Sequence, residues 1–158
     1  MRSNSDGPTT STPADTAAAV NGTAQHSQTS AIGPRILMAE DNAINQRVGK
    51  LILQRAGFAI DVVQDGHEAL QAHTNQPYDL ILMDCQMPIM DGFEACRQIR
   101  KSSDRQPVIV AVTANALVGE RERCLEAGMD DYLSKPFQAE QLVGVVHKWV
   151  GARNGTAE

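Results

Sequence analysis

No apolar run in this chain of 158 residues approaches the roughly 20 residues needed to span a bilayer. The opening Met1-Arg2-Ser3-Asn4 likewise lacks a signal-peptide pattern, so the segment reads as cytoplasmic. An excess of positive charge is missing too: a formal net charge of -5 leaves no electrostatic footprint for nucleic acid. Cysteine is scarce. Cys85, Cys96 and Cys124 are odd in number and have no CxxC spacing, which argues against a disulfide framework and a zinc site and leaves three small apolar residues in a reducing compartment. Residues 1 to 33 have hardly any large apolar side chains and consist mostly of Ser, Thr, Ala, Asn, Gln and Gly. Such a segment cannot offset its ordering entropy and is expected to be a disordered linker or tail.

From 34 to 150 the chain keeps one rhythm, long enough for one domain with its own core. Ile36-Leu37-Met38-Ala39 reads as a strand, and Ile44, Val48, Leu51 and Ile52 follow at helical spacing up to Ala56-Gly57. A second strand runs from Phe58 to Val63, and a helix holding Ala69 and Leu70 follows Asp65-Gly66. The third strand, Leu80 to Asp84, leads through Pro88 and Gly92 to a helix with Phe93, Cys96 and Ile99. Pro107 to Val112 is the fourth strand, with Ala116, Leu117, Cys124 and Leu125 marking its helix before Ala127-Gly128. Asp131-Tyr132-Leu133 is a short fifth strand, and the last helix carries Leu142, Val145, Val146, Trp149 and Val150 on one face. Five strands alternating with five helices specify an α/β fold with a parallel sheet covered on both sides. Right-handed crossovers make the doubly wound order 2-1-3-4-5 the natural choice. Residues 151 to 158 read as a disordered polar tail.

The chemistry gathers at strand ends. The first strand ends in Glu40-Asp41, the third in Asp84 and the fourth in Thr113, while Lys135 follows the fifth. Parallel strands deliver these side chains to one edge, where open α/β sheets bind ligands, and the strands carrying Glu40-Asp41 and Asp84 are neighbours at the topological switch point. Two unit charges 4 Å apart repel by about 4 kcal/mol at an effective dielectric near 20, so three clustered acids need a cation or a proton. Oxygen donors with a solvent-facing position suit Mg²⁺. Together with the Lys135 ammonium and the Thr113 hydroxyl, such a site suits an incoming phosphoryl group, and a carboxylate beside Mg²⁺ can serve as nucleophile and form an acyl phosphate.

These residues carry a resemblance. From about Arg35 to Val150 the chain resembles a receiver domain of two-component signalling: the acidic pair Glu40-Asp41, Asp84, Thr113-Ala114, Tyr132 and Lys135-Pro136 stand where that family places them. The wordings Glu40-Asp41-Asn42-Ala43-Ile44-Asn45-Gln46 and Met83-Asp84-Cys85-Gln86-Met87-Pro88-Ile89-Met90-Asp91-Gly92 are typical of receivers attached to hybrid sensor histidine kinases. The resemblance implies a flavodoxin-like receiver fold. In it Asp84 accepts a phosphoryl group from a phosphohistidine, on a kinase or a phosphotransfer domain. Asp41, Asp84 and the backbone carbonyl of Gln86 bind Mg²⁺, with Glu40 acting through water. Lys135 pairs with the acceptor and its phosphate, Thr113 hydrogen-bonds the phosphate, and Tyr132 is the aromatic switch. Relatives carry a cis bond at Lys135-Pro136, against a base rate of about 5% for X-Pro bonds, so the sequence leaves the isomer open. Phosphorylation then remodels the face formed by the fourth helix, fifth strand and fifth helix, about 116 to 127 and 130 to 150, which becomes the expected partner or dimer surface. A linker-like start and kinase-type wording favour a cytoplasmic segment of a hybrid kinase, of the soluble or the membrane-anchored kind, over a free-standing regulator.

Blander readings exist for each element. Lys135 alone is a lysine before a proline, and Thr113 alone ends a strand; sharing an edge with three acids favours function. His67-Glu68 superficially resembles a phosphorylated histidine followed by an acid, but it sits in an ordinary helix with no partner helix. His73 and His147 are expected to be solvated, His26 lies in the tail, and Met38, Met83 and Met129 are expected to fill the core. Aspartyl-phosphate hydrolases place a second acid two residues after the nucleophile, where this chain has Gln86, which cannot transfer a proton. A flavin-binding relative of the fold needs a phosphate-cradling loop after the first strand, where Glu40-Asp41 would repel a phosphate. A module without chemistry would not need all five site residues.

Overall fold

Period-two alternation along the strands decides how the layers assemble. The computed structural model describes residues 33 to 155 except 103 and 116, so the expected linker at 1 to 32 and the end at 156 to 158 lie outside the described residues. In chain order the elements are β1 (Ile36–Ala39), α1 (Ala43–Arg55), β2 (Ile60–Val63), α2 (Gly66–Asn75), β3 (Leu80–Asp84), α3 (Gly92–Ser102), β4 (Val108–Thr113), α4 (Val118–Ala127), β5 (Asp131–Ser134) and α5 (Ala139–Gly155). All five strands are parallel in the order β2-β1-β3-β4-β5. No helix among the described residues is long and apolar enough to cross a membrane.

Each strand feeds two cores because successive side chains point to opposite faces. Leu37, Ile81, Met83, Ile109 and Ala111 pack with Ala69 of α2, Phe93, Cys96 and Ile99 of α3, and Cys124 of α4. Ile36, Leu80, Leu82, Val108 and Val110 pack with Leu53 of α1 and with Leu142, Val146 and Val150 of α5. Full burial of one such aliphatic side chain contributes about 1.5–3 kcal/mol, and β3, buried on both faces along its whole length, draws on both layers. Met38, Met83 and Met129 are core residues, and all three cysteines are free and buried.

Caps fix where the helices start. Asn42 Oδ1 accepts from the N–H groups of Ile44 and Asn45, Asp65 Oδ1 from Glu68 and Asp91 Oδ1 from Glu94, each satisfying donors that a first turn leaves open. Gly128, at φ 103°, closes α4 in the left-handed region.

Four expectations change. The apolar spacing of α1 does not mark its core face: Ile44 is 72% exposed, Val48 and Leu51 are exposed, and Gly49 and Leu53 are buried instead. Gly49 explains the rotation, since a Cβ there would run into Met38 Cε; a bare backbone lets α1 lie directly on β1. Leu117 and Leu125 of the α4 region are likewise exposed, with Cys124 and Ala127 on the core side, while Ala116 lies outside the described residues. The last helix continues past Val150 to Gly155: 151 to 155 hold no proline to remove a donor, and propagation adds one hydrogen bond per residue. Finally, His73 is 2% exposed rather than solvated. Its Nδ1 accepts from the Tyr78 N–H and its Nε2 donates to the Arg105 carbonyl, both at 3.0 Å, which defines a neutral tautomer with both nitrogens satisfied. His67 and His147 are exposed; His26 lies outside the described residues.

Candidate functional site

Register carries the acids to one place. Ala39 of β1 pairs with Met83 of β3, so Glu40 and Asp41 leave their strand beside Asp84. Carboxylate oxygens of Glu40, Asp41 and Asp84 lie within 4.8 Å of one another. Glu40 and Asp84 are buried and Asp41 is exposed, which gives the cluster two anchored walls and one solvent-facing side. Gly92 closes the site from below: its N–H donates to the Cys85 carbonyl, and a Cβ there would strike the Asp84 carbonyl oxygen.

Lys135 enters from β5, where Thr113 pairs with Ser134. Its backbone N–H donates to the Thr113 carbonyl at 2.8 Å, and the Lys135–Pro136 bond is cis. Lys135 Nζ donates to Glu40 Oε1 at 3.0 Å and to Asp84 Oδ2 at 3.1 Å. Asp84 Oδ1 accepts from the Gln86 N–H at 3.1 Å. Burial lifts Asp84 above the ordinary carboxylate range and the Glu40 charge adds to this, while the Gln86 N–H and Lys135 pull the other way. Burial would lower Lys135, but hydrogen bonds and charge from Glu40 and Asp84 outweigh it and raise the ammonium.

Several supports are not visible in strand-end reasoning. Glu40 Oε2 accepts from the Asn42 N–H and from Asn45 Nδ2, and the Glu40 carbonyl accepts from Gln46 Nε2. The Asn-x-x-Asn-Gln spacing on the first turn of α1 is the signal that would have found them. The Thr113 hydroxyl is not an uncommitted donor. It accepts from the Asn115 N–H at 3.0 Å and turns toward the Asn115 carbonyl at 3.3 Å, a local turn that a Thr two residues before a loop Asn readily forms. Tyr132 is half-buried with the Arg121 guanidinium 5.5 Å from its ring centroid.

Two cavities open beside the cluster. One of about 540 Å³ is lined by Asp41, Gln86, Met87, Pro88, Asp91 and Arg123, among others. A second of about 380 Å³ joins Asn45 and Val48 of α1 to Ala114, Lys135, Pro136 and Phe137, so the exposed apolar side of α1 borders the site itself. An oxygen-only donor set, with three carboxylates and one ammonium in reach, fits a hard divalent cation better than a thiolate-loving metal.

Comparison with known proteins agrees with this geometry. Residues 36–147 match the model of the response regulator receiver domain family. The chain is 42% identical over 122 residues to the sensor histidine kinase GacS of Pseudomonas protegens, covering 75% of this chain but 13% of that kinase. A hybrid signal transduction histidine kinase of Dictyostelium discoideum is 40% identical over 124 residues, covering 73% of this chain and 7% of that protein. Among solved structures, the receiver domain of a Pseudomonas aeruginosa sensor histidine kinase, with a magnesium ion coordinated in its active-site cleft, is 46% identical with a TM-score of 0.70, covering 75% of this chain and 98% of that one. The Ssk1 receiver domain of Saccharomyces cerevisiae, crystallised with the histidine phosphotransfer protein Ypd1, is 30% identical with a TM-score of 0.71 over 77% of this chain and 91% of that one.

Proposed function

Because the chain belongs to the response regulator receiver domain family, we propose that Asp84 is its phosphoacceptor and that it works as the receiver segment of a hybrid histidine kinase. The observation that carries the reading is the position of Asp84 at the end of the central strand, bonded to Lys135 and within reach of Glu40 and Asp41. An Asp84 carboxylate oxygen attacks the phosphorus of a phosphohistidine. The new bond is the O–P bond of an acyl phosphate; the bond that breaks is P–N, whose electron pair returns to the imidazole nitrogen. Lys135 holds Asp84 in place beforehand and offers a positive charge to the arriving phosphoryl oxygens.

Asp41, Asp84 and the Gln86 carbonyl would hold Mg²⁺, with Glu40 acting through water. When bound, the cation neutralises the carboxylates and the charge of the phosphoryl group. Thr113 reaches a phosphate by giving up its bond to Asn115. Tyr132 responds by turning inward, which changes the face made by α4, β5 and α5 and with it partner or dimer contacts. The donor is a phosphohistidine-bearing kinase or phosphotransfer domain. It docks across the exposed Ile44, Val48 and Leu51 of α1, since Val48 of that apolar surface lines the groove holding Lys135. The segment sits in the cytoplasm and needs no nucleic acid.

The test is mass spectrometry after treatment with acetyl phosphate and Mg²⁺. Wild type should gain one phosphoryl group and Asp84→Asn none; equal labelling of both would refute the assignment.

A further inference from the structure

Ile89 carries two costs that neither core nor site returns. Its backbone lies at φ 70°, the left-handed region that disfavours a β-branched residue but accepts glycine or asparagine. Its side chain is 84% exposed, so burial offsets nothing. The Met90 N–H donates to the Pro88 carbonyl at 2.7 Å, the i to i+2 bond of a γ-turn in its rare, strained form. This turn is a rigid mount. The Met90 carbonyl accepts from the Gly66 N–H at 2.9 Å, and a Cβ on Gly66 would collide with that same oxygen. Pro88 and Asp91, on either side, line the cavity that holds Asp41 and Gln86. Strain at a functional edge persists where something else depends on it.

We propose that Ile89 is an interaction anchor for the histidine-phosphorylated protein that supplies Asp84. This rests on the reading of Asp84 as phosphoacceptor. Direct transfer requires the donor's histidine to enter at the carboxyl edge of the sheet, so the donor must cover the loops that frame that edge, and the γ-turn is one of them. An apolar side chain fixed on a clamped turn loses little freedom when covered. Glycine or asparagine would hold the turn with less strain and present no such contact. Ile89 and the exposed side of α1 thus flank the site, one beside the cavity holding Asp41 and the other beside the groove holding Lys135.

The experiment compares two donors: acetyl phosphate, too small to span from Asp84 to Ile89, and yeast Ypd1 phosphorylated on histidine by phosphoramidate. Wild type, Ile89→Val, Ile89→Gly and Ile89→Asn should label Asp84 from acetyl phosphate at equal rates, and the Gly and Asn variants should melt no lower than wild type. With phospho-Ypd1, the concentration for half-maximal transfer should rise at least about fivefold in Ile89→Asn and Ile89→Gly and stay within about twofold in Ile89→Val. Transfer to Ile89→Asn that matches wild type would overturn the proposal. So would a wild type that accepts from acetyl phosphate yet refuses phospho-Ypd1, because the anchor is assigned to a donor of that class. Absence of Asp84 labelling from acetyl phosphate would instead overturn the phosphoacceptor reading beneath it.

Discussion

The two edges of the sheet both collect charge and treat it in opposite ways. At the amino-terminal edge, Asp79 accepts from the Arg35 N–H and from Arg105 Nη2, both at 2.7 Å. Asp61 accepts from the Tyr78 hydroxyl at 2.6 Å and faces Arg35 at 3.8 Å. Arg35 also covers the Tyr78 ring, 4.6 Å from its centroid. Two acids meet two guanidinium groups, and the edge completes itself. At the carboxyl edge, Glu40, Asp41 and Asp84 gather around one ammonium, Lys135. Both edges are built by the same strands with the same care in hydrogen bonding. The difference locates chemistry where charge is left for an outside group to balance, and structure where it is not.

The same substitution should therefore act with opposite sign at the two edges. Asp79→Asn removes a charge that two donors hold, one of them a guanidinium, and should cost about 2 kcal/mol in urea unfolding without Mg²⁺. Asp84→Asn removes a charge that burial and Glu40 disfavour, and should raise stability by on the order of 1 kcal/mol under the same conditions. If both variants lose stability equally, the two edges are not different in kind.

A smaller effect sharpens the balanced edge. Burial lowers the His73 pKa, and the charges of Arg105 and Arg100 add to this, against the hydrogen bond to the Arg105 carbonyl. The folded protein then binds fewer protons than the unfolded chain once the pH falls below the unfolded value of about 6.5. Stability should hold above that pH and decline as it drops toward 5. His73→Gln should start lower but decline less over the same interval, as read from urea midpoints. An identical pH slope in both proteins would mean that His73 titrates as an ordinary imidazole.

The strands, their order and the strand-end constellation were legible because each depends on a local signal. Apolar runs of four to six residues mark β1, β3 and β4, and polar side chains placed directly after them can only emerge at the edge. What was hidden depends on contacts between distant residues. The helical spacing of Ile44, Val48 and Leu51 shows that α1 has an apolar stripe without saying which way it faces, and the decision rests on Gly49 meeting Met38. His73 looked polar and so solvated; only its neighbours, the Tyr78 N–H and the Arg105 carbonyl, make burial affordable. Thr113 looked available until Asn115 folded back on it. The γ-turn at Ile89 has no local signal, because neither residue type in Ile89-Met90 announces a positive φ.

The carboxyl edge is an incomplete charge site that a divalent cation would finish. Calorimetric titration of Mg²⁺ at constant ionic strength tests it most directly, comparing wild type with Asp41→Ala and with Asp79→Asn as the control at the opposite edge. Wild type and the control should each bind one ion with the same affinity, and Asp41→Ala should weaken binding by more than about tenfold. An absence of binding in wild type, or an affinity that Asp41→Ala leaves unchanged, would mean that the three carboxylates do not form a cation site.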